Sequence, residues 1–352
     1  MTGSSEAGRL LALLETLAGR RVVIAGDLIA DEFIYGEIAR VSREAPVLIV
    51  NYDSTEIVPG GAGNAAGNVA SLGGIARLAG VAGRDETGGR LLETLKSRRI
   101  DVAAVHRPAG YRTPTKTRIL AGGIHSAKQQ VVRIDRAASA PVDDATRAAF
   151  ESRVLRAVER ADALLVSDYG SGLVRPQLAA EARRIFRARQ PARAHGGGVI
   201  MVDSRYNLLK FRGMTACTPN ESEVEQALGI RIGDNTRALE RAGRALLERT
   251  RCTAVLVTRG SRGMALFQNR QPTLHIPIVG SDQIADVTGA GDTVIAAMTL
   301  ALSAGAPFED AARLANYAGG LAVMKRGTAT VGASELRYAI SGGAVGRAPG
   351  QA

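Results

Sequence analysis

Four short apolar runs, each ending on a polar residue, constrain the fold of this chain more than any other feature. Arg21-Val-Val-Ile-Ala25 stops at Gly26-Asp27 and Ala163-Leu-Leu-Val166 at Ser167-Asp168. Val199-Ile-Met-Val202 stops at Asp203, and Thr253 to Val257 at Thr258-Arg259-Gly260. Unbroken apolar runs of this length are the pattern of strands buried on both faces. A further strand is expected from Ile75 to Val81, and helices from Thr87 to Lys96 and from Pro176 to Arg189. Strands alternating with helices predict a mostly parallel sheet flanked by helices. Such sheets bind ligands beyond the carboxyl ends of their strands. Asp27, Asp168, Asp203 and Arg259 are therefore expected to face a site.

Two stretches break that rhythm. Phe33 to Asp53 and Thr113 to Asp135 are rich in alternating β-type residues, as in Val47-Leu-Ile-Val50 and Gln130-Val-Val-Arg-Ile134. They are expected to pair as a small β lid, or else to extend the edge of the main sheet. The expected division is an α/β core over 1–32, 59–110 and 137–340 and a lid over 33–58 and 111–136. The Gly-, Ala- and Pro-rich tail over 341–352 is expected to be disordered, and 193–198 to be a surface loop.

Composition narrows the function classes. The net charge is +11, yet Arg is spread along the chain and no basic run carries interleaved aromatics. With aromatics at 4% and no Trp, a nucleic-acid binder lacks its stacking platforms. A non-catalytic nucleotide- or sugar-binding regulator is the other rival class. No charge-free apolar window reaches the length of about eighteen residues that a membrane span needs. The first residues lack the basic start and apolar run of a signal peptide. Cys217 and Cys252 have no metal spacing, so reduced thiols and a cytoplasmic location are expected.

The motifs carry the chemistry. In Asp286-Val-Thr-Gly-Ala-Gly-Asp-Thr293, glycines open a helix that runs on as Val294-Ile-Ala-Ala-Met-Thr-Leu-Ala-Leu302, apolar on every side. A helix start with free N–H groups at Gly289, Ala290 and Gly291 is an anion site. Asp292, at the same start, is placed to take a proton from a hydroxyl; the plain alternative is a capped helix. Gly60-Gly-Ala-Gly-Asn64 allows close backbone approach, and Asn64 offers both a donor and an acceptor, unless the glycines serve packing alone. Gly26-Asp-Leu-Ile-Ala-Asp31 places Asp27 and Asp31 where they can grip vicinal hydroxyls, or else forms a solvated turn. Thr218-Pro-Asn-Glu-Ser-Glu223 opens another helix, where Asn220 and Glu223 either position hydrated Mg²⁺ and phosphates or simply cap it. There is no P-loop, no protein-kinase signature and no His/Cys cluster for zinc.

Together, Gly60-Gly…Asn64 and Asp286-Val-Thr-Gly-Ala-Gly-Asp292 resemble the two signature regions of the ribokinase (PfkB) carbohydrate kinases, over roughly 20–340. The chain is also similar to the kinase half of the bacterial heptose-7-phosphate enzymes. That similarity rests on Arg40-Val-Ser-Arg-Glu-Ala-Pro46, Thr115-Lys-Thr-Arg118, Gln129 to Asp135, Ser167-Asp-Tyr169 and Thr218 to Glu223. It lacks the His-x-Gly-His of their nucleotidyltransferase domain.

The resemblance implies a ribokinase-like fold and an ATP- and Mg²⁺-dependent sugar kinase with Asp292 as base and the 289–291 amides as anion hole. It implies sugar contacts from Asp27, Asp31, Gly60, Gly61 and Asn64. Thr258, Gly260, Gly263 and Asn316, with Asn220 and Glu223, would line the ATP site, Glu223 holding Mg²⁺ through water. It implies K⁺ near Asp286, Thr288 and the 327–331 loop. It also implies a sugar-phosphate acceptor, D-glycero-β-D-manno-heptose 7-phosphate on the route to ADP-heptose and lipopolysaccharide, and a homodimer through the lid. Lys116, Arg118 and Arg133, with Arg43, are the candidates for the acceptor's phosphate on charge.

Overall fold

The computed structural model describes residues 5–122, 128–138, 142–189, 197–280, 286–325 and 327–343. Most of the tail and residues 193–196 of the expected surface loop lie outside them. The apolar runs form β1 (Arg21–Gly26), β7 (Ala163–Asp168), β8 (Val199–Ser204) and β10 (Ala254–Thr258). With β4 (Ile75–Ala79), β9 (Ala216–Cys217), β11 (Met264–Gln268) and β12 (Leu274–Ile276) they make one sheet in the order β12-β11-β10-β9-β8-β7-β1-β4. From β4 to β10 every pairing is parallel; β11 and β12 add an antiparallel edge.

Because side chains alternate along a strand, the sheet has two cores. Val22 and Ile24 pack with the helices α1 (Glu6–Glu15), α2 (Ala62–Ser71) and α3 (Glu86–Ser97). The same face carries α8 (Ala290–Ser303), α9 (Phe308–Val323) and α10 (Ala333–Ile340). Val23 and Ala25 pack with α4 (Asp144–Val158), α5 (Pro176–Arg189), α6 (Glu221–Leu228) and α7 (Thr236–Thr250). Cys217 and Cys252 are buried, free thiols in this second core.

A second, four-stranded sheet runs β3-β2-β5-β6. β2 (Leu28–Val41) and β3 (Leu48–Gly61) form a long antiparallel hairpin; β5 (Thr115–Gly122) lies parallel to β2, and β6 (Gln129–Arg136) antiparallel to β5. Only Asp27 separates β1 from β2, so the first residues of β2, Leu28 to Asp31, are buried against the core while its far end is exposed. Asp85, the N-cap of α3, accepts hydrogen bonds from the Thr113 amide (2.8 Å) and hydroxyl (2.7 Å), which fixes the approach to β5.

Every residue of α8 from Asp292 to Ser303 is buried, as expected of a helix apolar all round. Leu300→Ala should therefore lower unfolding free energy by about 3 kcal/mol through the cavity it leaves. Urea unfolding measures it; a loss below about 1 kcal/mol would contradict close packing around α8.

Candidate active site

The site is built where α8 begins. Gly289 is its N-cap with φ of 78°, and a Cβ there would lie 2.5 Å from Nδ2 of Asn64. Without it, Asn64 reaches from α2 and donates Nδ2 to Asp292 Oδ2 at 2.8 Å. The Tyr169 hydroxyl donates to the other carboxylate oxygen at 3.3 Å. Behind them Asn68 donates to Asn64 Oδ1 (3.3 Å) and accepts from the Thr293 hydroxyl (3.1 Å) and the Val331 amide (3.3 Å). This amide ladder ties α2, α8 and the 327–331 loop together.

Asp292 itself is buried. Burial pushes its carboxyl up to about 7, while the hydrogen bonds from Asn64 and Tyr169 work the other way; Asp31 adds to the rise and Lys116 opposes it. A carboxyl poised there exchanges protons near neutral pH, the condition a general base needs.

On one side of Asp292 lies a cavity of about 400 Å³. Its wall includes Gly289, Gly291, Asp292, Asn220, Glu223 and Thr258, together with Asp168 and Asp203 from the ends of β7 and β8. Asn220 and Glu223 form a full capping box on α6, with both backbone-to-side-chain bonds at 2.9 Å. The capping reading of that motif holds, and the same two residues line the cavity. Burial raises the Glu223 carboxyl. Burial also pushes Asp203 well up, and Glu223, Asp292 and Asp168 push it further. Arg205, in the same wall, works the other way on both, and among the described residues no group of three or more acidic, histidine or cysteine side chains is placed to hold a metal ion. Thr218 Oγ1, also in the wall, is buried with no hydrogen-bond partner among the described residues.

Gly260 and Gly263, both at positive φ, shape the turn after Thr258. Asn316 is buried and donates to the Pro277 carbonyl at 2.8 Å. Arg259, expected to face the site, pairs instead with Glu221 at 2.8 Å.

On the lid side, Asp31 of β2 meets Arg118 of β5 in an ion pair of 2.6 Å. The Arg118 guanidinium lies over the Phe33 ring (5.3 Å), and the Lys116 ammonium over the Tyr169 ring (5.7 Å). Gly60 makes room for Asp31: a Cβ there would sit 2.3 Å from Asp31 Oδ2. Arg133, opposite Arg118 in register, turns instead to Asp135 with bonds of 2.7 and 2.8 Å, and Arg43 is exposed in the β2–β3 connection. Asp27 turns toward β7, accepting from the Tyr169 amide (2.7 Å) and the Ser171 hydroxyl, and its own carbonyl accepts from Ala62 beside Gly61 (3.0 Å).

Asp286 straps the glycine turn to the neighbouring loop, accepting from the amides of Thr288 (2.9 Å) and Gly327 (3.0 Å). Burial raises its carboxyl, but these hydrogen bonds outweigh burial and hold it below its ordinary value. In the same loop Thr328 Oγ1 is buried without a partner among the described residues. A fixed negative charge beside an unsatisfied hydroxyl suits a monovalent cation.

The structure therefore gathers Asp292, the 289–291 turn, Asn64, Asp31, Lys116 and Arg118 around one point, with Asn220, Glu223 and Thr258 across the cavity. Tyr169 and Asn68 are the residues that motif reading missed. Tyr169 follows the polar end of β7 and lies in the Ser167-Asp-Tyr169 stretch of the resemblance, but neither signal gave it a role.

The pfkB family carbohydrate kinase pattern matches residues 22–335. The chain belongs to the pfkB family of carbohydrate kinases. It is an ATP-dependent sugar kinase. Among curated relatives, it is 39% identical to the bifunctional protein HldE of Geobacter sulfurreducens over 315 residues, 89% of this chain and 61% of that protein. It is 38% identical to HldE of Caulobacter vibrioides, over 94% of this chain and 66% of that one. The chain thus spans less than two thirds of the length of these relatives. Arabidopsis thaliana ribokinase, solved with ribose and ATP, superposes with a TM-score of 0.67 at 18% identity, covering 92% of this chain and 99% of its own. Escherichia coli phosphofructokinase-2, solved with potassium, gives 0.69 at 18% identity, covering 92% and 98%. These two establish the ribokinase-like fold. No helix among the described residues is long and apolar enough to cross a membrane.

Titration of the Asp292 carboxyl, followed by carbon NMR of labelled aspartate, should have its midpoint near 7. Tyr169→Phe removes a donor that favours the charged form and should move the midpoint upward. A midpoint at the ordinary aspartate value, or a downward move, would contradict this environment.

Proposed function

We propose that this kinase transfers the γ-phosphoryl group of ATP to the anomeric hydroxyl of D-glycero-β-D-manno-heptose 7-phosphate, giving the 1,7-bisphosphate. The observation that carries the reading is a pair of cations on one strand, Arg118 bonded to Asp31 and Lys116 within electrostatic reach of Asp292. A sugar phosphate brings about two negative charges to that side, which Lys116 and Arg118 together would neutralise. Identity of 38–39% to the HldE proteins across most of this chain supports the heptose.

In this reading the acceptor hydroxyl gives its proton to Asp292 as its oxygen bonds to the γ-phosphorus, and ADP leaves. The amides of Gly289, Ala290 and Gly291 face the charge that develops. Asp31, Gly60, Gly61 and Asn64 surround the sugar, with Asp27 supporting them from behind. Thr258, Gly260, Gly263 and Asn316 shape the nucleotide side. Mg²⁺, held by Glu223 through water beside Asn220, would neutralise the phosphates. K⁺ at Asp286, Thr288 and the 327–331 loop would add positive charge behind the turn. The buried free thiols fit a reducing cytoplasm.

The small sheet supports a homodimer. Val41, Leu48, Tyr52 and Val132 are exposed on it at 59%, 45%, 68% and 47%, an apolar surface that a second copy would cover. Light scattering at micromolar concentration should give twice the chain mass; a monomer would contradict this.

The acceptor is tested by ADP release. Heptose 7-phosphate should exceed fructose 6-phosphate and ribose in kcat/KM by about a hundredfold or more, a ratio of the size reached when a site's buried polar groups go unpaired with the wrong substrate. Preference for fructose 6-phosphate would move the assignment to hexose phosphates, and preference for ribose would remove the phosphate altogether.

A further inference from the structure

We propose that the Arg118–Asp31 ion pair is a lock on the acceptor site, opened by the acceptor's own phosphate, so that it excludes unphosphorylated sugars. The inference rests on the reading above that the acceptor carries a phosphate.

Both partners are largely withdrawn from water, their side chains 14% and 6% exposed. Arg118 occupies Oδ1 of Asp31 at 2.6 Å. The other oxygen, Oδ2, lies against Gly60, where even a Cβ would not fit. A sugar hydroxyl that reaches this carboxylate competes with Arg118 for it, and Asp31 lies near enough to Asp292 to act on its charge. In the proposed lock the guanidinium swings off Oδ1 so that both oxygens of Asp31 can grip a sugar.

What draws it away has to be a better anion than a carboxylate. A phosphate dianion is one, because it accepts the planar guanidinium fork through two oxygens and carries more charge. The Phe33 ring beneath the guanidinium provides a face along which the cation stays stabilised as it turns. Lys116, two residues before Arg118 on β5 and thus on the same side of the strand, adds a second charge for the same phosphate. A free sugar offers no such exchange. It would have to strip Arg118 from Asp31 and leave a buried charge unpaired. Specificity would then come from a penalty on the wrong substrate as well as a contact with the right one.

The test compares heptose 7-phosphate with unphosphorylated heptose, the latter with and without added phosphite dianion, in the wild type and in Arg118→Ala. In the wild type, phosphite should raise kcat/KM for the free sugar by about tenfold or more, the scale of a desolvated charge pair. In Arg118→Ala that activation should vanish. The free sugar should then be used about tenfold better than by the wild type, while heptose 7-phosphate is used worse. Unchanged ATP affinity reports that the variant is folded; the phosphite experiment on the wild type needs no variant at all. If Arg118→Ala weakens only the phosphorylated acceptor, with no gain for free heptose and no phosphite activation, the lock is wrong and the phosphate contact stands. If it weakens both sugars equally, the phosphorylated-acceptor reading fails as well.

Discussion

The site depends on keeping one carboxylate buried at the start of one helix. Taking Asp292 out of water disfavours its charge, and nothing in the apolar body of α8 offsets that. The offset comes from the helix start itself and from two donors, Asn64 and Tyr169, supplied by distant parts of the chain. Each donor is fixed in turn. Asn64 is held by Asn68 and admitted by the missing side chain of Gly289, while Tyr169 is placed by the hydrogen bond its backbone N–H donates to the Asp27 carboxylate. The balance leaves the carboxyl near neutrality instead of several units lower or permanently protonated. From Asp292 onward α8 is buried on every side, so the carboxylate sits at the edge of the packed core.

Charge of opposite sign is sorted to the two sides of that point. The cavity wall carries Asp168, Asp203 and Glu223 with Arg205, so in the proposed reading phosphates enter it together with a cation. The lid side is cationic, with Lys116 and Arg118 on one strand. In the proposed reading both substrates are anionic, and this division would let each be neutralised by a different means: a metal on one side, fixed side chains on the other.

Much of this was legible in the sequence because it rests on local patterns. The apolar runs ending at Asp168 and Asp203 marked strands whose ends do line the cavity, and the glycine-rich string through Asp292 marked the helix start. What was not legible depends on side-chain direction. Arg118 and Arg133 are equally basic and lie opposite each other, yet Arg133 has Asp135 two residues along its own strand and is satisfied there. Arg259 is likewise claimed by Glu221. Asp27 and Asp31 look equivalent as acids after a strand, but one turns back to β7 and the other meets the lid. Tyr169 has no spacing signature, and only the folded chain brings its hydroxyl to Asp292. The long β2 was obscured for a simpler reason: a single residue separates it from β1, so no turn signal marks its start.

Whether Asp292 takes the proton of the attacking hydroxyl is tested most directly by one substitution. Asp292→Asn keeps the shape and the burial but cannot accept the proton. With Asp292 as the base, the folded variant binds ATP as the wild type does and loses turnover by about a hundredfold or more, the scale of a missing general base. A folded Asp292→Asn protein that turns over at a near-normal rate would contradict that role.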